Sequence, residues 1–354
     1  MKYFVSTGEI SGDLHLSYLV NAMKQIDENT SFFGVGGKHS REAGVTIIQD
    51  IDELAVMGLL EALKKYNFLK KKAYEYIEFI KKEGIKKVIL VDYGGFNLKF
   101  MELLKKEIVD IEIYYYIPPK VWVWNEKRVE KIRRVDHIVV IFPWEVDFYK
   151  KHGIDVVYYG NPFLDIYTRI EERGDKILLL PGSRKKEVQN LLPIMLEVVE
   201  ASPNEEFILK LAKKEHLNWV DVDVTKYKNM KVIDNVTLSE VARLSKYSIA
   251  ASGTVILELT LLGVPGIVVY KIDWLSGFIA KHILKLKYVS LPNLALDKEV
   301  YRELLLKECN STNILSAMKD IEENKGYFEE QISEIIIKLG GKDIIEKYAK
   351  YFLS

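Results

Sequence analysis

The sequence predicts an α/β protein of two domains, each built around a parallel, doubly wound β-sheet with helices on both faces. The chain has 354 residues, which at roughly 150 residues per domain is enough for about two domains. Short β-rich runs alternate with longer helical patterns almost throughout, as is typical of βαβ units. The alternation restarts after the turn-rich Gly160-Asn161-Pro162 and a charged stretch from Arg169 to Lys176. We therefore place a domain boundary near residue 165.

The strands follow in order along the two predicted domains, residues 1–165 and 166–330. In the first domain they are Lys2 to Ser6, Ser31 to Val35, Val45 to Ile48, Lys87 to Asp92, Glu112 to Ile117, His137 to Phe142 and Val156 to Tyr159. In the second they are Ile177 to Leu180, Phe207 to Leu211, Met230 to Ile233, Tyr247 to Ala250 and Gly266 to Tyr270. The tail, residues 331–354, has a helical pattern. Whether it crosses back to the first domain or packs on another chain stays open at this point.

Composition excludes several classes of function. Lys and Arg together number 51, as do Asp and Glu, so the formal net charge is zero. A neutral chain has no long-range field for nucleic acid or anionic lipid, although local patches can still attract either. The single cysteine, Cys309, cannot form an internal disulfide, and the six histidines show no zinc-ligand spacing. These counts argue against a structural zinc site and fit a reducing compartment.

Two apolar stretches could be mistaken for targeting or membrane segments. The N-terminal run ends at Thr7-Gly8-Glu9, too early for a signal peptide, so we expect no export. The stretch from Tyr247 to Tyr270 carries Glu258 at its centre and is split by Gly263-Val264-Pro265-Gly266. Because a carboxylate is costly inside a bilayer, we interpret this stretch as a short helix followed by a buried strand.

Two strand-to-helix junctions in the second domain have the composition of phosphate sites. They are Gly182-Ser183-Arg184 and Ser252-Gly253-Thr254, the latter followed by Glu258 on the next helix. Backbone N–H groups at such junctions bind phosphate, arginine adds a charge-assisted contact, and a nearby carboxylate can accept both ribose hydroxyls. The alternatives are an ordinary turn at the first junction, and an N-cap at Ser252 with a surface Glu258. Two such sites in one domain indicate a nucleoside diphosphate.

The first domain has candidate acid–base groups at strand ends. Asp92 lies at the predicted carboxyl edge of the sheet, where ligands of open α/β sheets bind. There it is either a general base or part of an Asx turn or helix cap. The loop from Ser6 to His15 is dense in glycine and proton-transferring groups. It lacks the Gly-x-Gly-x-x-Gly and P-loop spacings, so the sequence predicts no NAD or P-loop nucleotide site.

Two segments combine lysines with apolar residues and suit an anionic, apolar surface. The commoner alternative is a core-packing helix with a solvated lysine face. The first segment runs from Leu59 to Ile80 and contains Lys64, Lys65, Lys70, Lys71 and Lys72. The second contains Trp274, Phe278, Lys281 and Lys285.

Several motifs in one order resemble the lipid-A-disaccharide synthase family, which is glycosyltransferase family 19. The resemblance runs from about residue 3 to about residue 305. The set of motifs in this order is more specific than any single motif. The motifs are Gly8-Glu9-Ile10-Ser11-Gly12-Asp13, Met57-Gly58-Leu59-Leu60-Glu61, Asp92 to Asn97, Pro119-Lys120-Val121-Trp122-Val123-Trp124, Leu180-Pro181-Gly182-Ser183-Arg184, Ala251-Ser252-Gly253-Thr254 with Glu258, and Tyr288-Val289-Ser290-Leu291-Pro292-Asn293.

The resemblance implies an inverting glycosyltransferase of GT-B architecture, with two Rossmann-like domains facing across a cleft and no cofactor or metal. Such enzymes transfer diacylglucosamine from UDP-2,3-diacylglucosamine to 2,3-diacylglucosamine 1-phosphate, which gives the β-1,6 disaccharide and UDP. It also implies a cytoplasmic protein bound peripherally to the inner face of the inner membrane. Whether it forms a homodimer stays open.

The resemblance implies a role for each matched residue. Asp92 is the general base. Gly182, Ser183, Arg184, Ser252, Gly253 and Thr254 surround the diphosphate, Glu258 faces the ribose, and Asn293 lies near the donor. The acceptor contacts Gly8, Glu9, Ser11, Gly12, Asp13, His15, Met57, Glu61, Asn97, Trp122 and Arg128. The membrane-facing residues are those of the two lysine-rich segments.

The sequence departs from the family pattern in four places. Gly94 replaces a proline, Gly95 an aspartate found in many members, Pro118-Pro119-Lys120 a Ser-Pro-Ser, and Asn161 a histidine. With Gly95 in that place no second carboxylate can share the base role there, which puts more weight on Asp92. Two rival functions remain: a UDP-sugar 2-epimerase of the same fold, and a non-catalytic lipid or sugar-nucleotide binding protein.

Overall fold

The computed structural model describes residues 1–57, 62–123, 126–271 and 287–354. The chain forms two compact units. The first contains Met1–Pro162 together with Gly340–Ser354, and the second contains Phe163–Leu339.

The first unit holds a six-stranded, all-parallel sheet in the order β3-β2-β1-β4-β5-β6. The chain moves outward from β1 in one direction and from β4 in the other, so the topological switch point lies between these two strands. The strands are β1 (Lys2–Ser6), β2 (Ser31–Gly36), β3 (Val45–Asp50), β4 (Lys87–Val91), β5 (Glu112–Tyr116) and β6 (His137–Val139). Its helices are α1 (Ile10–Ile26), α2 (Lys38–Glu42), α3 (Ile51–Met57), α4 (Ala62–Glu83), α5 (Gly94–Glu107), α6 (Val129–Ile132) and α7 (Pro143–Lys151).

The second unit repeats this topology. Its parallel sheet has the order β12-β11-β10-β7-β8-β9, so its switch point lies between β10 and β7. The strands are β7 (Lys176–Leu180), β8 (Phe207–Lys210), β9 (Met230–Ile233), β10 (Ser245–Ala251), β11 (Gly266–Tyr270) and β12 (Glu303–Leu305). The helices are α8 (Phe163–Ile166), α9 (Lys185–Ala201), α10 (Leu238–Arg243), α11 (Thr254–Leu261), α12 (Leu291–Leu296), α13 (Ser311–Glu323) and α14 (Lys325–Leu339). The prediction of two doubly wound parallel sheets is confirmed.

The last helix, α15 (Ile344–Leu353), belongs to the first unit, whereas α14 belongs to the second. The Tyr348 hydroxyl donates to the carbonyl of Val140 at 2.7 Å and accepts from the backbone N–H of Tyr159 at 3.1 Å. The Tyr3 hydroxyl of β1 donates to the carbonyl of Phe352 at 2.5 Å. These buried hydrogen bonds fix the last turns of the chain against the first sheet.

Two strand predictions are wrong. Val156 to Tyr159 forms no strand, because only Val157 makes a bridge, to Val139, and the N–H of Tyr159 is used by Tyr348. The three-residue β12 was not predicted because Glu303 interrupts its apolar pattern. The stretch from Tyr247 to Tyr270 does contain a helix and a following strand, as predicted. Among the described residues, no helix has the length and apolar character needed to span a membrane.

Candidate active site

The loops that follow β1, β4 and β5 meet at the carboxyl edge of the first sheet, beside its switch point. Gly8 lies against the ring of Tyr93, where a β-carbon would overlap the ring. Asp92 donates its N–H to the carbonyl of Ile117 at 3.1 Å. This edge is where open α/β sheets bind ligands.

Asp92 is held in an unusual backbone conformation. Its φ is 43°, in the left-handed region that residues other than glycine rarely adopt. The hydroxyl of Tyr115 donates to the Asp92 carbonyl at 2.8 Å, and the side-chain amide of Asn97 donates to the same oxygen at 3.0 Å. Such strain persists only where surrounding contacts impose it, and it concentrates at functional sites. Tyr115, which sequence reasoning missed, therefore helps to fix the position of Asp92.

The surroundings of Asp92 suit a general base. Burial raises the pKa of its carboxyl group to about 6, the negative charge of Glu9 acts in the same direction, and Lys120 opposes both. A pKa near the working pH gives both a large ionised fraction and a useful basicity. The predicted base, Asp92, and the predicted acceptor residue, Glu9, thus interact at one edge of the sheet.

Asn97, predicted to bind the acceptor, is hydrogen-bonded within the first unit. It is completely buried, and its amide nitrogen donates to the carbonyls of Ser6, Val91 and Asp92 at 3.1, 3.2 and 3.0 Å. Its amide oxygen accepts from the Ser6 hydroxyl at 2.7 Å. Because these bonds use the donors and acceptor of the side chain, Asn97 joins the ends of β1 and β4.

Asp13 is a second predicted acceptor residue whose polar atoms are already used. Its carboxylate accepts from the N–H groups of Gly37 and His39 at 2.7 and 2.9 Å and from the Ser40 hydroxyl at 2.5 Å. These donors lie at the start of α2, so Asp13 caps that helix from α1. The neighbouring Gly12 is buried beside Thr7, and Ser11 is half-buried.

His15 is buried within the same helix. Its ring packs edge-on against Tyr116, with 6.4 Å between ring centroids. Burial, with a smaller contribution from Lys120, lowers its pKa to about 3. The imidazole is therefore neutral at physiological pH and has no positive charge with which to attract a phosphate.

A buried carboxyl group, Glu145, was not predicted. It accepts from the Trp122 indole N–H at 3.2 Å and from the Phe142 N–H at 3.2 Å, and burial raises its pKa to about 7. Pro143 followed two residues later by glutamate is the sequence signal for this helix start. Glu145 positions Trp122, a predicted acceptor residue.

Lys120 is the cation common to this edge of the sheet. Its side chain is exposed, and its charge lowers the pKa of Asp92, of His15 and of Glu145. The other predicted cation, Arg128, is half-buried, and its guanidinium lies near Gly94 at the start of α5. The site thus combines a partly desolvated base with two positive charges.

In the second unit, the turn at Gly182 contains a carboxylate contact that was not predicted. The N–H groups of Ser183 and Arg184, predicted to bind phosphate, both donate to the Glu187 carboxylate at 3.2 Å. Glu187 occupies the third position of α9, from which a carboxylate can reach back to the helix start. The backbone anion site predicted here is occupied by the chain's own carboxylate, while the Arg184 guanidinium lies 3.5 Å from the same group.

The junction between β10 and α11 is more open. Gly253 is exposed, and a β-carbon built on it meets no heavy atom of the described chain within 4 Å. Glu258, one turn along α11, is half-buried and accepts from the Tyr167 hydroxyl at 2.5 Å. Burial raises the pKa of Glu258, and hydrogen bonds from Tyr167 and Thr254 oppose that shift. This junction therefore keeps space near the predicted residues Ser252, Gly253 and Thr254.

Asn293 was predicted to lie near the donor, but it is fully buried and hydrogen-bonded within its own unit. Its amide nitrogen donates to the Tyr301 carbonyl and to the Glu303 carboxylate, both at 2.8 Å. Its amide oxygen accepts from the N–H groups of Val300 and Tyr301 at 2.9 and 2.8 Å. With all four bonds used, Asn293 organises the segment around β12.

Comparison with known proteins decides the family. A protein-family model described as lipid-A-disaccharide synthetase matches residues 3–353. The lipid-A-disaccharide synthase of Trichlorobacter lovleyi is 32% identical, covering 100% of this chain and 97% of the relative. The enzyme of the same name from Coxiella burnetii strain Dugway is 33% identical, covering 94% and 91%. The chain belongs to the lipid-A-disaccharide synthase family. The predicted resemblance is confirmed, and the protein is a glycosyltransferase.

Solved structures agree with this assignment at the level of fold. UDP-GlcNAc 2-epimerase from Neisseria meningitidis, bound to UDP-GlcNAc, superposes with a TM-score of 0.63 at 12% identity, covering 100% of this chain and 99% of the epimerase. MurG from Acinetobacter baumannii gives 0.62 at 11% identity, covering 99% of each chain. The predicted GT-B fold of this family member is confirmed.

Several predicted residues of this family member lie outside the described part of the chain. Of the first lysine-rich segment, Lys70 and Lys71 are exposed, and Lys72 is half-buried and paired with Glu75 at 2.9 Å. The residues whose positions or side chains are not described are Met57, Glu61, Lys64, Lys65, Trp274, Phe278, Lys281 and Lys285.

Proposed function

We propose that the protein transfers a diacylglucosaminyl group from UDP-2,3-diacylglucosamine to the 6-hydroxyl of 2,3-diacylglucosamine 1-phosphate. The observation that carries this proposal is the partly desolvated carboxylate of Asp92, whose backbone carbonyl accepts hydrogen bonds from Tyr115 and Asn97 at the carboxyl edge of the first sheet. Membership of the lipid-A-disaccharide synthase family supplies the substrate class.

The proposed reaction is a single displacement with inversion. The acceptor oxygen forms a bond to the anomeric carbon, its proton passes to Asp92, and the bond from that carbon to the UDP oxygen breaks. UDP leaves with the electron pair. Its growing charge is stabilised by Arg184 and by the N-terminus of α11, where Gly253 leaves room for a phosphate.

The test of this proposal is UDP release in the presence and absence of the acceptor. Acceptor-dependent release with stoichiometric disaccharide supports glycosyl transfer. An epimerase releases no UDP in net turnover and converts the donor without acceptor, whereas a binding protein does neither. Either of those results overturns the proposal.

The proposed base predicts a pH dependence. Asp92 must be ionised to accept a proton, and its pKa is raised to about 6. We therefore expect kcat/KM to be constant above that pH and to fall tenfold per pH unit below it. Replacing Glu9 with glutamine removes a negative charge that raises this pKa, so the pH below which kcat/KM falls should become lower. If kcat/KM of the unaltered enzyme falls only below about pH 4, the base is not desolvated.

We further propose that the first lysine-rich segment holds the enzyme at the inner face of the cytoplasmic membrane. Each lysine near an anionic surface contributes about 1 kcal/mol. Changing Lys70, Lys71 and Lys72 to glutamate should therefore lower binding to phosphatidylglycerol vesicles by roughly 100-fold or more, with UDP affinity unchanged. The measurement is co-sedimentation across vesicle concentrations.

The matched control changes Lys226, Lys228 and Lys231 to glutamate, three exposed positions in the second unit. This variant has the same net charge. If both variants lose vesicle binding equally, total charge rather than the segment is responsible, and the membrane assignment of α4 is wrong.

A further inference from the structure

A groove lies between α4 and α5 in the first unit. It encloses a cavity of about 210 Å³. The apolar residues that line it are Leu69, Ala73, Phe96, Leu98, Phe100 and Leu103.

The groove follows from one small residue in an apolar stripe. On α4, Leu69, Ala73, Tyr76 and Ile77 recur at helical spacing, and Ala73 is the one member without a large side chain. On α5, Phe96 and Phe100 stack with their ring centroids 5.3 Å apart and are fixed against the core. Leu69 and Leu103 remain half-buried at the rim. The small side chain of Ala73 therefore leaves space between α4 and α5 at this point.

Positive charge surrounds the groove. Its lining includes the cations Lys70, Lys99, Arg128 and Lys131, and none of the lining residues that the structure describes is acidic. The nearby Glu102 pairs with Lys131 at 3.0 Å and with Lys99 at 3.6 Å, which neutralises part of this charge. The described charged residues in the lining of this apolar cavity are all cations, so the complementary ligand has an aliphatic part and an anionic group.

One end of the groove lies at the start of α5, shortly after the candidate base in the chain. Gly94 and Gly95 line the cavity, and they follow Asp92 and Tyr93 at the start of α5. Gly95 is exposed, with no heavy atom of the described chain within 4 Å of a β-carbon built on it. A ligand in the groove can therefore extend toward Asp92 without displacing a side chain at Gly95.

We infer that this groove receives an acyl chain of the phosphorylated glycolipid acceptor. This rests on the proposed function. The base must contact the hydroxyl of the acceptor, and the groove is lined by Gly94 and Gly95, which follow that base in the chain. The cavity is smaller than the roughly 300–1,000 Å³ of pockets that enclose a whole small molecule, so it holds a segment of one chain, while the surrounding cations face the phosphate.

The experiment compares acceptors with long and short acyl chains in the same detergent, using Leu69→Gln and Leu103→Gln. An amide in the groove wall is unfavourable for an aliphatic chain, so kcat/KM for the long-chain acceptor should fall about tenfold in each variant. With the short-chain acceptor the change should be less than about twofold. The control is Val109→Gln, a change at a side chain that is 94% exposed and lies outside the groove.

Different results would overturn the proposed function and the acyl-chain assignment. If the unaltered enzyme releases no UDP with either acceptor, the proposed function is wrong. If it does, and both groove variants lose activity equally with both acceptors, the acyl-chain assignment is wrong. An unchanged ratio of long-chain to short-chain activity leads to the same conclusion.

A second measurement needs no variant and so does not depend on folding. A long-chain acceptor analogue with a photoreactive diazirine at the end of one acyl chain is irradiated with the unaltered protein. Cross-linked peptides from residues 67–73 and 96–103 support the inference. Cross-links confined to other segments of the chain overturn it.

Discussion

Replacing Asp92 with asparagine should lower kcat by roughly two to four powers of ten, the usual contribution of a general base. Asparagine keeps the size and the backbone hydrogen bonds of Asp92 but cannot accept the proton of the acceptor hydroxyl. UDP affinity should not change, because the predicted diphosphate residues lie in the second unit. Steady-state kinetics with saturating donor and calorimetric titration with UDP measure the two quantities.

The control for this experiment is Asp110→Asn, the same chemical change at an exposed carboxylate between α5 and β5 in the first unit. Its kcat should stay close to that of the unaltered enzyme. Near-normal turnover in Asp92→Asn, or an equal loss in both variants, would remove Asp92 from the role of base.

Replacing Asn97 with alanine should destabilise the protein by about 3 kcal/mol or more. The substitution removes the amide that donates to the buried carbonyls of Ser6 and Val91 and accepts from the buried Ser6 hydroxyl, and each buried group left unsatisfied costs about 1–3 kcal/mol. It also removes one of the two side-chain donors that hold the carbonyl of the strained Asp92. We therefore expect a lower midpoint in urea together with a lower kcat, while KM for the acceptor is little changed.

Ser6→Ala is the matched control for Asn97. It removes only the hydroxyl that donates to the Asn97 amide, so the loss should be about 1 kcal/mol, the net value of one hydrogen bond. If Asn97→Ala instead keeps its stability and raises KM for the acceptor, Asn97 contacts the acceptor directly, as the sequence motif suggested.

The sheets could be predicted because most of their strands are continuous apolar runs between turn signals, as expected for buried parallel strands. The same reasoning failed where tertiary contacts determine whether a segment forms a strand. β12 contains Glu303, whose carboxylate accepts from Asn293 and from the backbone of Val289 and Ser290. Val156 to Tyr159 has strand-like composition, but the Tyr159 N–H donates to the Tyr348 hydroxyl of α15 and not to a neighbouring strand.

The candidate site could be located from the sequence, but the use of each polar group could not. Asp92 was found because parallel strands bring their carboxyl ends to one edge. Asn97 and Asp13 carry the same donor and acceptor groups as binding residues. Their partners lie 91 and 24 residues away in the chain, so no local pattern reveals that they are already hydrogen-bonded. Glu187 is different, since its spacing from Arg184 is that of a helix cap.

The most direct test of the whole account is the configuration of the bond formed. The purified enzyme is incubated with UDP-2,3-diacylglucosamine and 2,3-diacylglucosamine 1-phosphate, and the product is examined by NMR for its anomeric coupling and linkage position. A single displacement by the 6-hydroxyl, with Asp92 as base, predicts a β-1,6 disaccharide formed in equal amount to UDP. An α-linked disaccharide, or UDP and free sugar without disaccharide, would contradict it.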